Sequence, residues 1–129
     1  MTRRTGAAGA AVVDFVFVTV LVVALFLLVL QVGLVLHVRN VLVSSAAEGA
    51  RYAANADRTP GDGVARAKQA VAQALSPSLA DRMTYTPSVT TLNGAQVVEI
   101  TVTGPLPVVF LPAGPLHLTV HGHALEEGR

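Results

Sequence analysis

The chain has no cysteine among its 129 residues, which removes disulfides, thiolate metal sites and cysteine nucleophiles together. Charge is scarce as well. Only 13% of residues are charged, and nine Lys and Arg against eight Asp and Glu leave a net charge of +1. With no concentrated basic surface to collect phosphates, nucleic acid is not an expected partner. Catalytic apparatus is missing too. Ser44, Ser45, Ser76, Ser78 and Ser88 lie outside any nucleophile-elbow context, and Gly61-Asp62-Gly63 lacks the lysine and preceding strand of a phosphate loop. The chain therefore reads as a non-enzyme without a cofactor, and its length leaves room for one modest domain.

Apolar residues are what it has in excess, at 52%. From Phe15 to Leu36 no side chain is charged, and Thr19 and Gln31 are the only clearly polar ones. As a helix this run covers about 33 Å, enough to cross a hydrocarbon core of roughly 30 Å. Its many valines are mediocre helix formers in water, but in lipid every backbone amide must be bonded internally, which imposes the helix. A removable secretory signal is the competing reading, with small residues at Ser44–Ala47 as the cleavage region. The apolar run is longer than the usual core of such signals, which favours an anchor. Arg3 and Arg4 on one side, against His37, Arg39 and Arg51 on the other, leave the positive-inside count ambiguous.

Beyond Leu36 the helix is expected to continue from Val38 to Ala56, since no proline intervenes. Glu48 and Arg51 stand three apart and can pair on one face. Thr59-Pro60-Gly61-Asp62 then predicts a new helix with Thr59 as N-cap, Pro60 at its first position and Asp62 reaching back. Its apolar stripe of Val64, Ala67, Val71, Ala74 and Leu75 is expected to pack on a sheet, with Ser76-Pro77 ending the helix. Strands are expected over 83–89, 96–103 and 116–124. Asn93-Gly94 marks a hairpin between the first two, and Val98, Ile100 and Val102 alternate with Glu99, Thr101 and Thr103 as on a half-buried sheet. Val108–Leu111 is a short apolar stretch inside a proline-rich connection. The fold class is thus α+β: a long N-terminal transmembrane helix continuing outside the membrane, then a second helix on a small three-stranded antiparallel sheet.

Two sets of residues invite chemistry. His117, His121 and His123 fall on one face of the last strand, where imidazoles spaced by two and four can converge on a metal. The plainer reading is the polar face of an amphipathic strand, and no metal is assigned. Asp14 places a carboxylate at the edge of the apolar run. It is either an interfacial residue favoured by the helix dipole or a kept charge with a task.

Gly9-Ala10-Ala11-Val12-Val13-Asp14-Phe15 resembles the processing site of type IV-like prepilins, which are cut after glycine to leave an acidic residue fifth and an aromatic residue sixth. This chain has aspartate where that pattern more often has glutamate. Together with Arg39-Asn40, the block Ala46-Ala47-Glu48-Gly49-Ala50-Arg51-Tyr52-Ala53 and the β-rich tail with Ile100–Thr103, Pro105-Leu106 and Leu116–Ala124, it is similar to the TadE-like family of tight-adherence pilus assembly proteins. The resemblance implies a pilin-like architecture: a cytoplasmic leader over 1–9, cleaved between Gly9 and Ala10; a transmembrane helix over 10–36; a helical extension over 37–58; and an extracytoplasmic domain over 59–129. It further implies that Asp14 and Phe15 set the register of assembly and that residues 46–52 contact another subunit. The implied partners are a prepilin peptidase, other pilins or pseudopilins, and a secretion or assembly platform at the membrane. An unprocessed single-pass membrane protein whose outer domain binds a ligand is the alternative.

Overall fold

The structure, a computed structural model, describes residues 2–106 and 116–126. Along them run the helices α1 (Thr2–Ala53), α2 (Pro60–Ala74) and α3 (Pro77–Arg82), then the strands β1 (Thr84–Leu92), β2 (Ala95–Pro105) and β3 (His117–Leu125). This is the α+β arrangement expected from the sequence. The proline-rich Val108–Leu111 stretch lies outside the described residues.

One helix of two characters dominates. Between Gly6 and Leu30 α1 is essentially bare, with Phe15, Phe17, Leu21 and Phe26 among its exposed side chains. From Val38 onward it becomes an interior element: Val38, Leu42, Ala46 and Ala50 recur every four residues, and all are buried. That spacing keeps them on one stripe, and the stripe is the floor of the domain. The helix stops at Ala53 rather than Ala56. Ala54 N–H still bonds Ala50 O at 2.9 Å, after which the backbone N–H groups of Asn55 and Arg58 bond carbonyls three residues back, as in turns. Asn55 and Asp57 belong to the residue types whose side chains compete with the helical backbone.

α2 begins as its sequence predicts. The Thr59 side chain accepts from Asp62 N–H at 3.3 Å, while an Asp62 oxygen accepts from Thr59 N–H at 2.8 Å, a reciprocal capping box with Pro60 at the first turn. Its buried stripe of Gly63, Ala67 and Val71 meets α1 most closely, and Ala67 and Val71 also share the core with Ile100 and Val102 of the sheet. The reason is size. Gly63 and Ala67 bring the backbone of α2 against Gly49 of α1, where larger side chains would hold the helices apart. Glu48 pairs across this crossing with Arg66 at 2.5 Å rather than along its own helix with Arg51.

Ser76-Pro77 ends α2 and also starts the short α3, which the sequence reading did not anticipate. Ser76 caps it by accepting from Leu79 N–H at 3.1 Å, with Pro77 at the first helical position. Lys68 of α2 reaches Asp81 of α3 at 3.1 Å.

The sheet is antiparallel in the order β1-β2-β3. Asn93 and Gly94, both at positive φ (52° and 85°), close the β1–β2 hairpin between paired Leu92 and Ala95. Pro87 is accommodated because β1 is an edge strand. Ile100, Val98 and Val102 face inward from β2, and Val120 joins them from β3. Beside Val120, Gly122 presses its backbone against Ala46 and Ala47 of α1, so the third strand lies directly on the long helix.

Candidate functional site

Three places carry the candidate functional residues, and the fold treats them differently. The first is the bare half of α1, the only helix among the described residues long and apolar enough to cross a membrane. Thr19 satisfies its hydroxyl by donating to Phe15 O at 2.8 Å, the local solution open to a polar group in an apolar run. Gly9, Ala10, Asp14 and Phe15 lie on exposed helix upstream. A Cβ added at Gly9 would meet nothing within 4 Å, so no contact within the chain explains a glycine there. Interior glycine weakens a helix by about 1 kcal/mol against alanine. Asp14 has no hydrogen-bond or ion-pair partner among the described residues. Both residues are thus left unexplained by this chain's own packing.

The second place is the block after the membrane run, and most of it is occupied from within the chain. Ala46 and Ala50 are buried in the core, and Gly49 lies under Gly63 and Ala67. Ala47 is half-buried beside Gly122. Glu48 is held by Arg66, and the Tyr52 ring is covered by the Arg58 guanidinium, 4.7 Å from its centroid. Within the chain these small residues receive α2 and β3. Arg51 stays exposed.

The third place is the outer face of the sheet. His121 and His123 sit there with stacked rings, centroids 6.4 Å apart, and both address Glu99 of the neighbouring strand. His123 Nε2 lies 2.5 Å from one Glu99 oxygen and His121 Nδ1 3.4 Å from the other. His121 Nδ1 also contacts the Thr101 hydroxyl at 3.1 Å. Partial burial pushes the Glu99 carboxyl upward. Hydrogen bonds from His123 and Thr101, with the charge of the two imidazoles, outweigh it and leave the carboxyl below its ordinary value. His117 stands apart, paired in register with Pro105. Among the described residues no group of three or more His, Cys, Asp or Glu is arranged to hold a metal ion. Glu99 is the member of this cluster that the sequence reading placed on the sheet without giving it a role. Only the β2–β3 register, which pairs Glu99 with His123, brings it to the histidines.

With this geometry in place, likeness to known proteins bears chiefly on the first site. Residues 9–51 match the family model of TadE-like proteins. The match begins at Gly9, spans the bare helix and ends within the small-residue block, so it covers the N-terminal part of the resemblance and not the β-rich tail. Neither curated proteins nor solved structures give a match to the chain.

Proposed function

We propose that the chain is a minor pilin or pseudopilin of a tight-adherence pilus or secretion apparatus. It is made as a precursor, cut between Gly9 and Ala10 by a prepilin peptidase, and held by α1 with its N-terminus cytoplasmic and the α+β domain outside. The observation that carries this reading is the TadE-like match beginning at Gly9, a glycine with open space around it. Cleavage there would create a new α-amino group on Ala10. A neighbouring subunit's Asp14 could accept it, neutralising two charges at the membrane edge that are otherwise costly. The bare face of α1 would pack on sister helices, and the outer domain would supply the surface that meets the assembly platform.

Intact-mass measurement on protein recovered from its native membrane tests this, with Gly9→Leu and Asp14→Ala alongside. The expected result is a mature chain starting at Ala10 in the unsubstituted protein and a retained leader in Gly9→Leu. Asp14→Ala is expected to be cut yet to lose co-purification with sister pilins. A native chain still carrying residues 2–9 would sink the processing step and leave an unprocessed single-pass protein with an outer binding domain.

A further inference from the structure

The sheet has two edges, and only one of them is protected. Glu126 N–H donates to Gln96 O and Leu106 N–H to Leu116 O, both at 2.8 Å, so the hydrogen-bonded pairs of the β2–β3 register fall on even-numbered residues. Antiparallel pairing alternates along the strand. The odd-numbered residues of β3, from His117 to Leu125, therefore turn their N–H and C=O groups away from β2. None of these groups has a backbone partner among the described residues. By the same alternation the outward positions of β1 are Tyr85, Pro87, Val89 and Thr91. Pro87 has no N–H and interrupts that edge at its middle, a common protection against a further strand. β3 contains neither proline nor lysine, and its register with β2 runs without a bulge.

The unprotected edge lies beside a flank of α1 with its own charge. Gly122 presses on the backbone of Ala46 and Ala47, and Arg39, Val43, Ala47 and Arg51 recur every four residues along that side of the helix. α2 holds the other side, at Gly49. Arg39, Val43 and Arg51 are exposed, and neither arginine has an ion-pair partner among the described residues. On the outer face of the sheet the same odd positions of β3 carry imidazoles. His121 Nδ1 and His123 Nε2 are engaged with Glu99 and Thr101, which leaves one nitrogen of each ring, and both of His117, without a partner among the described residues. Glu99 is the only carboxylate on β2 and β3, and it is already taken. An unused backbone ladder thus runs between imidazoles on one face and unpaired guanidinium groups on the other.

We infer that the free edge of β3 receives an extended, acidic segment of another polypeptide as a fourth strand. Main-chain bonds to the odd residues of β3 hold it, the usual source of affinity when a strand is added to a sheet. Its carboxylates stand beside His117, His121 and His123, within cross-strand reach, and its apolar residues turn toward Val43. A second copy of this chain does not fit. β3 climbs with α1, from Gly122 at Ala46 to Ala124 beside Ala53 and Ala54, and the two elements share one core. Antiparallel pairing of two β3 strands would therefore aim the two membrane runs in opposite directions. Pairing in either sense would also bring like cations together with no free carboxylate between them. The inference requires only that α1 lie in a membrane and is independent of processing or pilus assembly.

The test uses the full chain in nanodiscs and a short fluorescent peptide of alternating valine and glutamate, with binding read by anisotropy and located by hydrogen exchange. Binding should slow exchange at the amides of Thr119, His121 and His123 and leave Tyr85 and Val89 of β1 unchanged. N-methylation of either the glutamate or the valine amides, whichever set faces β3, should weaken binding by about tenfold, the worth of one or two hydrogen bonds. The other N-methylated peptide keeps its affinity. Arg39→Ala with Arg51→Ala, both exposed positions, should weaken binding by about fivefold, whereas Arg82→Ala, on α3, should not. Failure of the peptide to bind, indifference to both N-methylations, equal binding of a valine–lysine peptide, or protection on β1 in place of β3 each overturns the inference. A dimer that protects the same β3 amides without peptide would assign the edge to a second copy instead.

Discussion

Gly49 and Gly63 meet backbone to backbone where α1 and α2 cross: a Cβ built on either residue would lie 2.5 Å from the carbonyl oxygen of the other. Neither glycine needs an unusual φ, so each is demanded by proximity rather than by conformation. The crossing they permit brings Ala67 onto α1 and positions Arg66 opposite Glu48. The close approach of the two helices is fixed at this point.

Gly49→Ala is accordingly expected to destabilise the domain by about 1–3 kcal/mol, because the obstacle is backbone that cannot rotate away and the strain exceeds alanine's gain in helix propensity. Gly61→Ala is the control. A Cβ there meets only the Thr59 hydroxyl at 3.7 Å, ordinary contact, so the variant should be neutral or up to about 1 kcal/mol more stable. Thermal melts of the two variants in detergent distinguish them. A Gly49→Ala protein as stable as the parent would show that the helices separate freely.

The capping box predicts a pH dependence with a definite sign. The Thr59 backbone hydrogen bond, then the Thr59 hydroxyl, hold the Asp62 carboxyl below its ordinary value of 3.8, against a small opposing effect of burial. A carboxyl lowered by folding stabilises the native state above its unfolded value and loses that contribution as pH falls through the folded one. The melting-temperature gap between the parent and Asp62→Asn should therefore be full at pH 7 and shrink below pH 3.8. A gap that does not change with pH would mean the carboxylate's charge is not what caps the helix.

Tyr85 predicts the opposite sense at high pH. Burial, with the negative charge of Asp81 as a smaller cause, pushes its phenol up to about 12, and the hydroxyl donates to Ala80 O at 3.1 Å, tying β1 to α3. A group raised by folding contributes below its unfolded value, ordinarily 10, and loses that contribution as pH rises through about 12. Ultraviolet titration should show one of the two tyrosines ionising late, with Tyr85→Phe removing that late step. If the late step survives in Tyr85→Phe, the late phenol is that of Tyr52 and the burial of Tyr85 is not what delays it.

Local chemistry made much of this fold legible. The N-cap at Thr59, the turn at Asn93-Gly94 and the alternation through Val98, Ile100 and Val102 each depend on residues within a few positions of one another, and each appears where the sequence placed it. Ser76-Pro77 carried two messages, an end and a beginning, and only the end was read. What escaped depends on distant partners. Ala46, Gly49 and Ala50 are small enough for any close neighbour, and nothing local says that the neighbours are Gly122, Gly63 and Ala67 of the same chain. Glu99 acquires its histidines only through the β2–β3 register. At the candidate processing site the reverse holds: the resemblance to prepilin processing sites singled out Gly9 and Asp14, and the fold adds that nothing in the chain's own packing calls for them.

The strongest consequence of the fold concerns where the outer domain begins. The sequence reading separated a helical extension over 37–58 from a domain over 59–129. Yet Val38, Leu42, Ala46 and Ala50 share one core cluster with Val71, Ile100, Val102 and Val120. Leu42 is fully buried, while Leu25 on the same helix is 59% exposed. Leu42→Ala should cost about 2–5 kcal/mol, the usual result of emptying a core leucine site, and Leu25→Ala should leave the domain's melting temperature unchanged. A fragment starting at residue 59 would expose the inner face of the sheet and the buried stripe of α2 to water, and three strands without a covering layer are marginal. It should lack cooperative unfolding and a dispersed amide spectrum, whereas a fragment starting at His37, which keeps the stripe and omits the membrane run, should show both. A cooperatively folded fragment beginning at residue 59 would mean that the distal half of α1 is only a stalk. Its absence makes that half the domain's central helix, so that any force or displacement acting on the membrane segment reaches the core without a flexible joint between them.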